Sequence, residues 1–143
     1  MFVKVSPEGE YIWHKTIDSE KVIIPSGITY SKQNDFLVYG SYEGGVDFDF
    51  GETQDVRESQ GSQYDAFITS FSSDGDYNYT KNFGGGGVDI VNDIHVLDNY
   101  EIKAAGFIDE KVDFDTGETE NIIETAGGED LFIITFEQER IQL

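Results

Sequence analysis

Displacing the chain by 66 residues lays residues 1–61 on residues 67–127 without a gap, and 17 of the 61 pairs are identical, against roughly four for unrelated sequences of average composition. Such a repeat constrains the fold more than any other feature. Each copy must adopt the same local structure and bury its apolar surface against its neighbours. The identities fall where backbone geometry is demanding: Gly9 with Gly75, Gly40 with Gly106, and Val46-Asp47-Phe48-Asp49 with Val112-Asp113-Phe114-Asp115. Gly51-Glu52-Thr53 and Gly117-Glu118-Thr119 extend the last match. A third copy opens at Asp130, because residues 130–136 (DLFIITF) follow residues 65–71 (DAFITSF) at a spacing of 65. The chain therefore reads as one repeat domain over 1–143: a first repeat at 1–66, a second at 67–131 and a partial third at 132–143.

Within a unit the apolar residues alternate with period two and are punctuated by Gly, Asp, Asn and Ser, which predicts short antiparallel strands and no long helix. Four strands recur. Residues 94–96 (28–30 in the first copy) lead through Asp98-Asn99 into 102–107 (36–42). After a loop containing Val-Asp-Phe-Asp, residues 66–71 turn at Ser72-Ser73-Asp74-Gly75 into 77–83. Asp-Gly marks that hairpin because Gly accepts positive φ, and Pro7-Glu8-Gly9 is its counterpart in the first copy. Tyr11 with Trp13, and Tyr77 with Tyr79, are expected to share one face of the last strand, packed against a neighbouring sheet. Two hairpins in a meander of four strands describe a propeller blade.

Composition excludes several function classes. Nine basic residues stand against 29 acidic ones, for a formal charge of −20, so nucleic acid phosphates and anionic membrane surfaces are repelled. Aromatic residues at 14% are too abundant for a disordered acidic tail. The absence of cysteine removes disulfides, thiol nucleophiles and thiolate zinc sites. No apolar run reaches the roughly 18 residues of a membrane helix, so membrane insertion is not expected, and the first residues carry no signal-peptide pattern.

The run from Tyr64 to Gly85 (YDAFITSFSSDGDYNYTKNFGG), then Ile94 to Phe107, then Val112-Asp-Phe-Asp-Thr-Gly117, resembles the SBBP-type β-propeller repeats of bacterial surface and secreted proteins. The shared features are a strand reading Asp-x-Phe ahead of a Gly turn, an aromatic-Thr-Lys strand ending in Gly-Gly, and a strand ending in Ala-Gly-Phe. The first copy departs from them, with Asp18-Ser19-Glu20-Lys21 where the second has Gly84 to Gly87. The resemblance implies an all-β fold of antiparallel four-stranded blades, a partial propeller of about two and a half, and an extracellular or cell-surface location. It implies no single activity. A propeller closes with four to eight blades, so the chain is expected to be part of a longer protein or a module that closes a ring as a homo-oligomer through its blade faces, in preference to two blades packed on each other as a small sandwich.

Asp47 and Asp49, repeated as Asp113 and Asp115, are the candidate metal ligands. Carboxylates at i and i+2 in irregular backbone suit Ca²⁺, a hard cation with six to eight oxygen ligands, although the spacing does not fit an EF-hand loop. The competing reading makes these aspartates turn caps while Phe48 and Phe114 bury. Asp74-Gly75-Asp76 and Asp89-x-x-x-Asp93 are further acidic groupings that could supply ligands, but Asp-Gly at a hairpin has a sufficient reason in turn geometry. His14 and His95 do not recur between copies and read as strand residues rather than bases or ligands. No Gly-x-Ser-x-Gly is present, and Gly84 to Gly87, lacking a Lys-Ser/Thr ending, reads as a flexible connection rather than a phosphate loop. The functional expectation is a non-catalytic repeat module for binding a protein or glycan, or for surface display. The alternative is a saccharide hydrolase using carboxylates of an assembled propeller, which requires acidic residues that break the repeat and converge on one pocket.

Overall fold

The structure, a computed structural model, describes residues 1–51, 53–114 and 119–137. Every regular element among them is a β-strand in antiparallel pairing. The chain opens with β1 (Phe2–Val5), β2 (Tyr11–Lys15) and β3 (Asp18–Ser19). It continues through β4 (Val22–Tyr30), β5 (Phe36–Glu43), β6 (Gly45–Asp47), β7 (Val56–Glu58), β8 (Asp65–Phe71) and β9 (Tyr77–Gly85). The second round comprises β10 (Ile90–Val96), β11 (Glu101–Ile108), β12 (Lys111–Asp113), β13 (Ile122–Glu124) and β14 (Asp130–Glu137). No helix among the described residues is long and apolar enough to cross a membrane.

The order β4-β5-β8-β9 makes a central four-stranded meander, and β10-β11-β14 repeats its first three strands. The excursion between the second and third strands is itself a ribbon, β6-β7 in one unit and β12-β13 in the next. Each ribbon pairs with the end of the preceding unit's last strand: Asp18 with Asp47 and Ser19 with Val46, then Gly84 with Asp113 and Gly85 with Val112. These pairs are equivalent under the 66-residue displacement, so Asp18-Ser19 and Gly84-Gly85 make the same ladder from different residue types. The ribbon thereby hydrogen-bonds successive units together.

The sheets stack face to face. Leu37, Tyr39, Ala66, Ile68 and Phe83 on one face of the central sheet pack with Val91, Ile94, Ile102, Ala104 and Phe132 of the next. On its other face Val38, Tyr42, Phe67 and Phe71 pack with Val46, Phe48 and the half-buried Phe2 and Phe50. Each such side chain contributes roughly 1.5–3 kcal/mol by leaving water. Two covered faces explain why β5 and β8 are buried along nearly their whole length, the polar Ser41, Asp65, Thr69 and Ser70 included.

All four hairpins of the meanders close in one way. Ser6, Ser31, Ser72 and Leu97 each donate a backbone N–H to the carbonyl four residues on, and accept one from three residues on. The residue at the latter position has positive φ: Gly9, Asn34, Gly75 and Tyr100. The Asp-Gly turn expected at Gly75 is thus present.

Three expectations change. Tyr77 and Tyr79 do not share a face, because a bulge between Ser70 and Phe71 sets Tyr77 opposite Phe71 and Tyr79 opposite Ser70; an extra residue in one strand reverses the alternation. The same bulge lies between Lys4 and Val5, where Trp13 pairs with Lys4 and Tyr11 with Val5. The strands at 28–30 and 94–96 extend back to Val22 and Ile90 across bulges at Pro25/Gly27 and Val91/Asp93. Finally, Gly84 and Gly85 are the buried end of β9 rather than a flexible connection.

Candidate functional site

The Asp-x-Asp loop is built by the ribbon turn. Phe48 drives its placement: fully buried, it meets Tyr42 edge-on at 5.4 Å and Phe67 at 5.1 Å. With Phe48 anchored inward, the flanking aspartates lie beside the loop's own backbone N–H groups. Asp47 Oδ1 accepts from Asp49 N–H at 3.1 Å and from Asp55 N–H at 3.0 Å. Asp49 Oδ1 accepts from Gly51 N–H at 2.7 Å, and its Oδ2 accepts from the Thr53 hydroxyl. In the second ribbon Asp113 Oδ1 accepts from Asn121 N–H at 2.9 Å, the same reach of eight residues that joins Asp47 to Asp55. Asp115, the fourth candidate ligand, lies outside the described residues, as do Glu52 and Glu118.

These carboxylates therefore spend acceptor capacity on the turn they sit in, as Asx turns do. Among the described residues no group of three or more Asp, Glu or His side chains is arranged to hold a metal ion. Asp55 makes a further tie: it receives the Arg57 guanidinium at 2.7 Å and the Tyr77 hydroxyl, fastening the first ribbon to β9. Burial and the neighbouring Asp55 carboxylate raise the Tyr77 phenol above its ordinary value.

Beside this loop the β3-β6-β7 sheet borders an open cleft of about 230 Å³ whose lining includes Asp18, Glu20, Asp47 and Glu58. Their equivalents under the repeat are Gly84, Gly86, Asp113 and Glu124. Two of the four carboxylates are thus peculiar to the first unit. In the second, Glu124 stands 3.7 Å from Lys111.

No family model matches the chain, and neither the curated proteins nor the solved structures provide a match.

Asp65 and Asp89 are a pair that the sequence reading did not single out. Both are fully buried. Asp65 Oδ2 accepts from Gln60 N–H at 3.0 Å, while its Oδ1 has no hydrogen-bond partner among the described residues. Asp89 accepts from Gly85 N–H at 2.9 Å and from Asp109 N–H at 3.2 Å. Burial is the main cause that pushes the Asp65 carboxyl up to about 7 and Asp89 to about 6. The Asp89 charge adds to the rise at Asp65, and donated N–H bonds oppose both. Gly84 is glycine because a Cβ there would meet the Asp65 carboxylate, and one on Gly85 would collide with the Lys111 carbonyl oxygen. Neither aspartate borders the acidic cleft, so the most perturbed carboxyls and those that line the cleft are different groups. The signal available in sequence was the run Gly84 to Gly87 itself, since consecutive glycines in a strand mark close approach.

His14 and His95 lie on exposed strand positions. His14 Nδ1 is 2.8 Å from the Tyr11 hydroxyl.

Proposed function

We propose that this chain is a non-catalytic module of propeller-type blades that works through its surfaces, stacking sheet on sheet and offering its ribbon loops to a protein or glycan. One observation carries this reading: Asp47 and Asp113, equivalent aspartates of the two ribbons, each accept a backbone N–H eight residues further on. A polar motif that repeats with the fold and closes the fold's own turns is framework rather than chemistry. The face-to-face meanders and the resemblance to SBBP-type repeats support the blade reading, and that resemblance is also the ground for an extracellular or surface location. Calcium is not needed to explain the motif.

A second reading has one observation in its favour. Asp18 and Glu20 break the repeat and meet Asp47 and Glu58 around a single cleft, and a saccharide hydrolase would draw its pair of carboxyl groups from such a set. One experiment separates the two readings. Neutral oligosaccharides and a lysine-rich peptide are titrated into the chain, amide shifts are followed, and reducing ends are assayed on the same samples. The module reading expects saturable shifts on residues 18–20 and 47–56 without release of reducing ends. Release that Glu58→Gln abolishes would establish the hydrolase instead, and no saturable shift with any probe would remove the binding role.

A further inference from the structure

The loop that leads from the first ribbon into β8 lies over a buried acid. Residues 60–63 (Gln-Gly-Ser-Gln) are all exposed, and none is apolar. Gln60 N–H is given to Asp65 Oδ2 at 3.0 Å. Gly61, at φ 67°, turns the loop so that a Cβ there would rest against the Gly85 and Gly86 backbone. The two ends of the loop are fastened separately: Ser59 N–H donates to the Gly44 carbonyl at 3.3 Å, and Asp89 N–H to the Tyr64 carbonyl at 2.7 Å. The next unit builds the same tie, from Ala126 N–H to Asp130 Oδ2 at 2.8 Å.

Every element packed around Asp65 withholds a counter-charge. On β5, Tyr42 stands opposite it and hydrogen-bonds the Glu58 carbonyl and Asn82. Behind Tyr42 on β7 are Glu58 and Arg57, and Arg57 is bound to Asp55. β9 presents Gly84, where a Cβ would meet the Asp65 carboxylate, while Lys81 of that strand reaches over Phe136. Ahead of β10 stands Asp89, itself beside Asp109 and Glu110 of the β11–β12 turn. Lys111, next along, lies toward Glu124. An ionised Asp65 is therefore a charge in a dry, acidic site with one oxygen unbonded, a state that only water relieves. Lifting residues 60–63 breaks the Gln60 tie and uncovers the carboxyl, and the loop has no apolar side chain to expose.

We infer that residues 60–63 form a proton-controlled strap, closed over Asp65 while its carboxyl is neutral and released when the carboxyl ionises. The inference does not depend on what the module binds. Its direction follows from linkage. Burial first, and then the Asp89 charge, raise the closed-state carboxyl to about 7, with the Gln60 N–H opposing them. Once in water the carboxyl returns to about 3.9. The opening constant is then lowest below about pH 4, climbs about tenfold per pH unit, and levels off above about pH 7.

The test is hydrogen exchange of the Gln60 amide in the 143-residue chain between pH 5 and 8, with and without low urea. The Ile68 amide of β8 is the internal reference. After correction for intrinsic exchange, the Gln60 opening constant is expected to rise on the order of a hundredfold from pH 5 to 8, most of it below pH 7. It is expected to exceed that of Ile68 throughout and to be indifferent to urea, because lifting the strap exposes little surface. In Asp65→Asn, which keeps an acceptor for Gln60 but cannot ionise, the rise is expected to vanish. A Gln60 opening constant independent of pH would overturn the inference, as would an unchanged rise in Asp65→Asn. So would a Gln60 amide that opens only together with Ile68, with the same constant and the same urea dependence, since the charge would then be relieved by global unfolding. Should the variant fail to fold, the comparison of Gln60 with Ile68 in the wild type decides alone. The ligand titration reads residues 18–20 and 47–56, so the module reading is judged separately.

Discussion

Ile68 and Ile133 are the same side chain at the same place on the third strand of successive sheets, one sealed beneath the next sheet and the other in solvent. Their difference measures what a covering sheet contributes. Ile68→Ala is expected to destabilise the monomer by about 2–5 kcal/mol, through lost burial and the cavity left behind. Ile133→Ala is expected to shift stability by less than about 0.5 kcal/mol. Urea denaturation at low salt and low concentration checks both. Equal losses would mean that Ile133 is already covered in the monomer.

Gly40 and Gly106 are identical between the copies for a steric reason. A Cβ on Gly40 would run into the Ile24 carbonyl oxygen, and one on Gly106 into that of Ile90. Ile24 and Ile90 are themselves equivalent, each just before its bulge. Alanine at either glycine must displace the neighbouring strand. Each substitution is expected to cost about 1–3 kcal/mol in chemical denaturation.

Two turn positions are occupied by residues ill suited to them. Tyr100 has φ 68° where Asn34 holds the equivalent place, and Glu110 has φ 62° where Gly44 does. A left-handed conformation costs an ordinary L residue about 1–2 kcal/mol. Tyr100→Asn and Glu110→Gly are each expected to raise stability by about 0.5–1 kcal/mol, read as a higher denaturation midpoint at unchanged slope.

Much of this architecture was legible in the sequence because the repeat and period-two alternation report the same sheet faces twice. The main strands, the Asp-Gly turn and the burial of Phe48 all follow from that pattern. The bulges were not legible: one unpaired residue beside Tyr79 reverses a face without altering composition. Nor was the β3-β6 ladder, since Asp18-Ser19 and Gly84-Gly85 have nothing chemical in common and are united only by backbone hydrogen bonds. The acidic cleft and the Asp65–Asp89 pair depend on contacts between residues distant in sequence. Beyond the glycine run at Gly84 to Gly87, which marks a close approach without naming its partner, local pattern carries no signal for such contacts.

Asp65 makes stability fall as pH rises. Its carboxyl ionises at about 7 in the folded chain, against about 3.9 when unfolded, so between those values the folded state holds the extra proton. The contribution is complete below about pH 4 and lost progressively as pH rises through 7. Asp65→Asn cannot ionise. It is expected to gain on the order of 2 kcal/mol relative to wild type at pH 8 and to flatten the pH profile between 5 and 8. Thermal melts across that range, compared between the two chains, remove the common effect of net charge. A parallel pair of profiles would mean that Asp65 stays ionised in the fold.

The most direct measurement on the account as a whole asks whether the repeated aspartates are framework. Unfolding midpoints of the wild type, Asp47→Ala and Asp113→Ala are taken in a calcium buffer and in a chelator. Loss of a turn-capping acceptor is expected to destabilise both variants by about 1–2 kcal/mol, with all three midpoints indifferent to calcium. A wild-type midpoint that rises with calcium, and no longer does so in either variant, would contradict the account and make the loops binding sites.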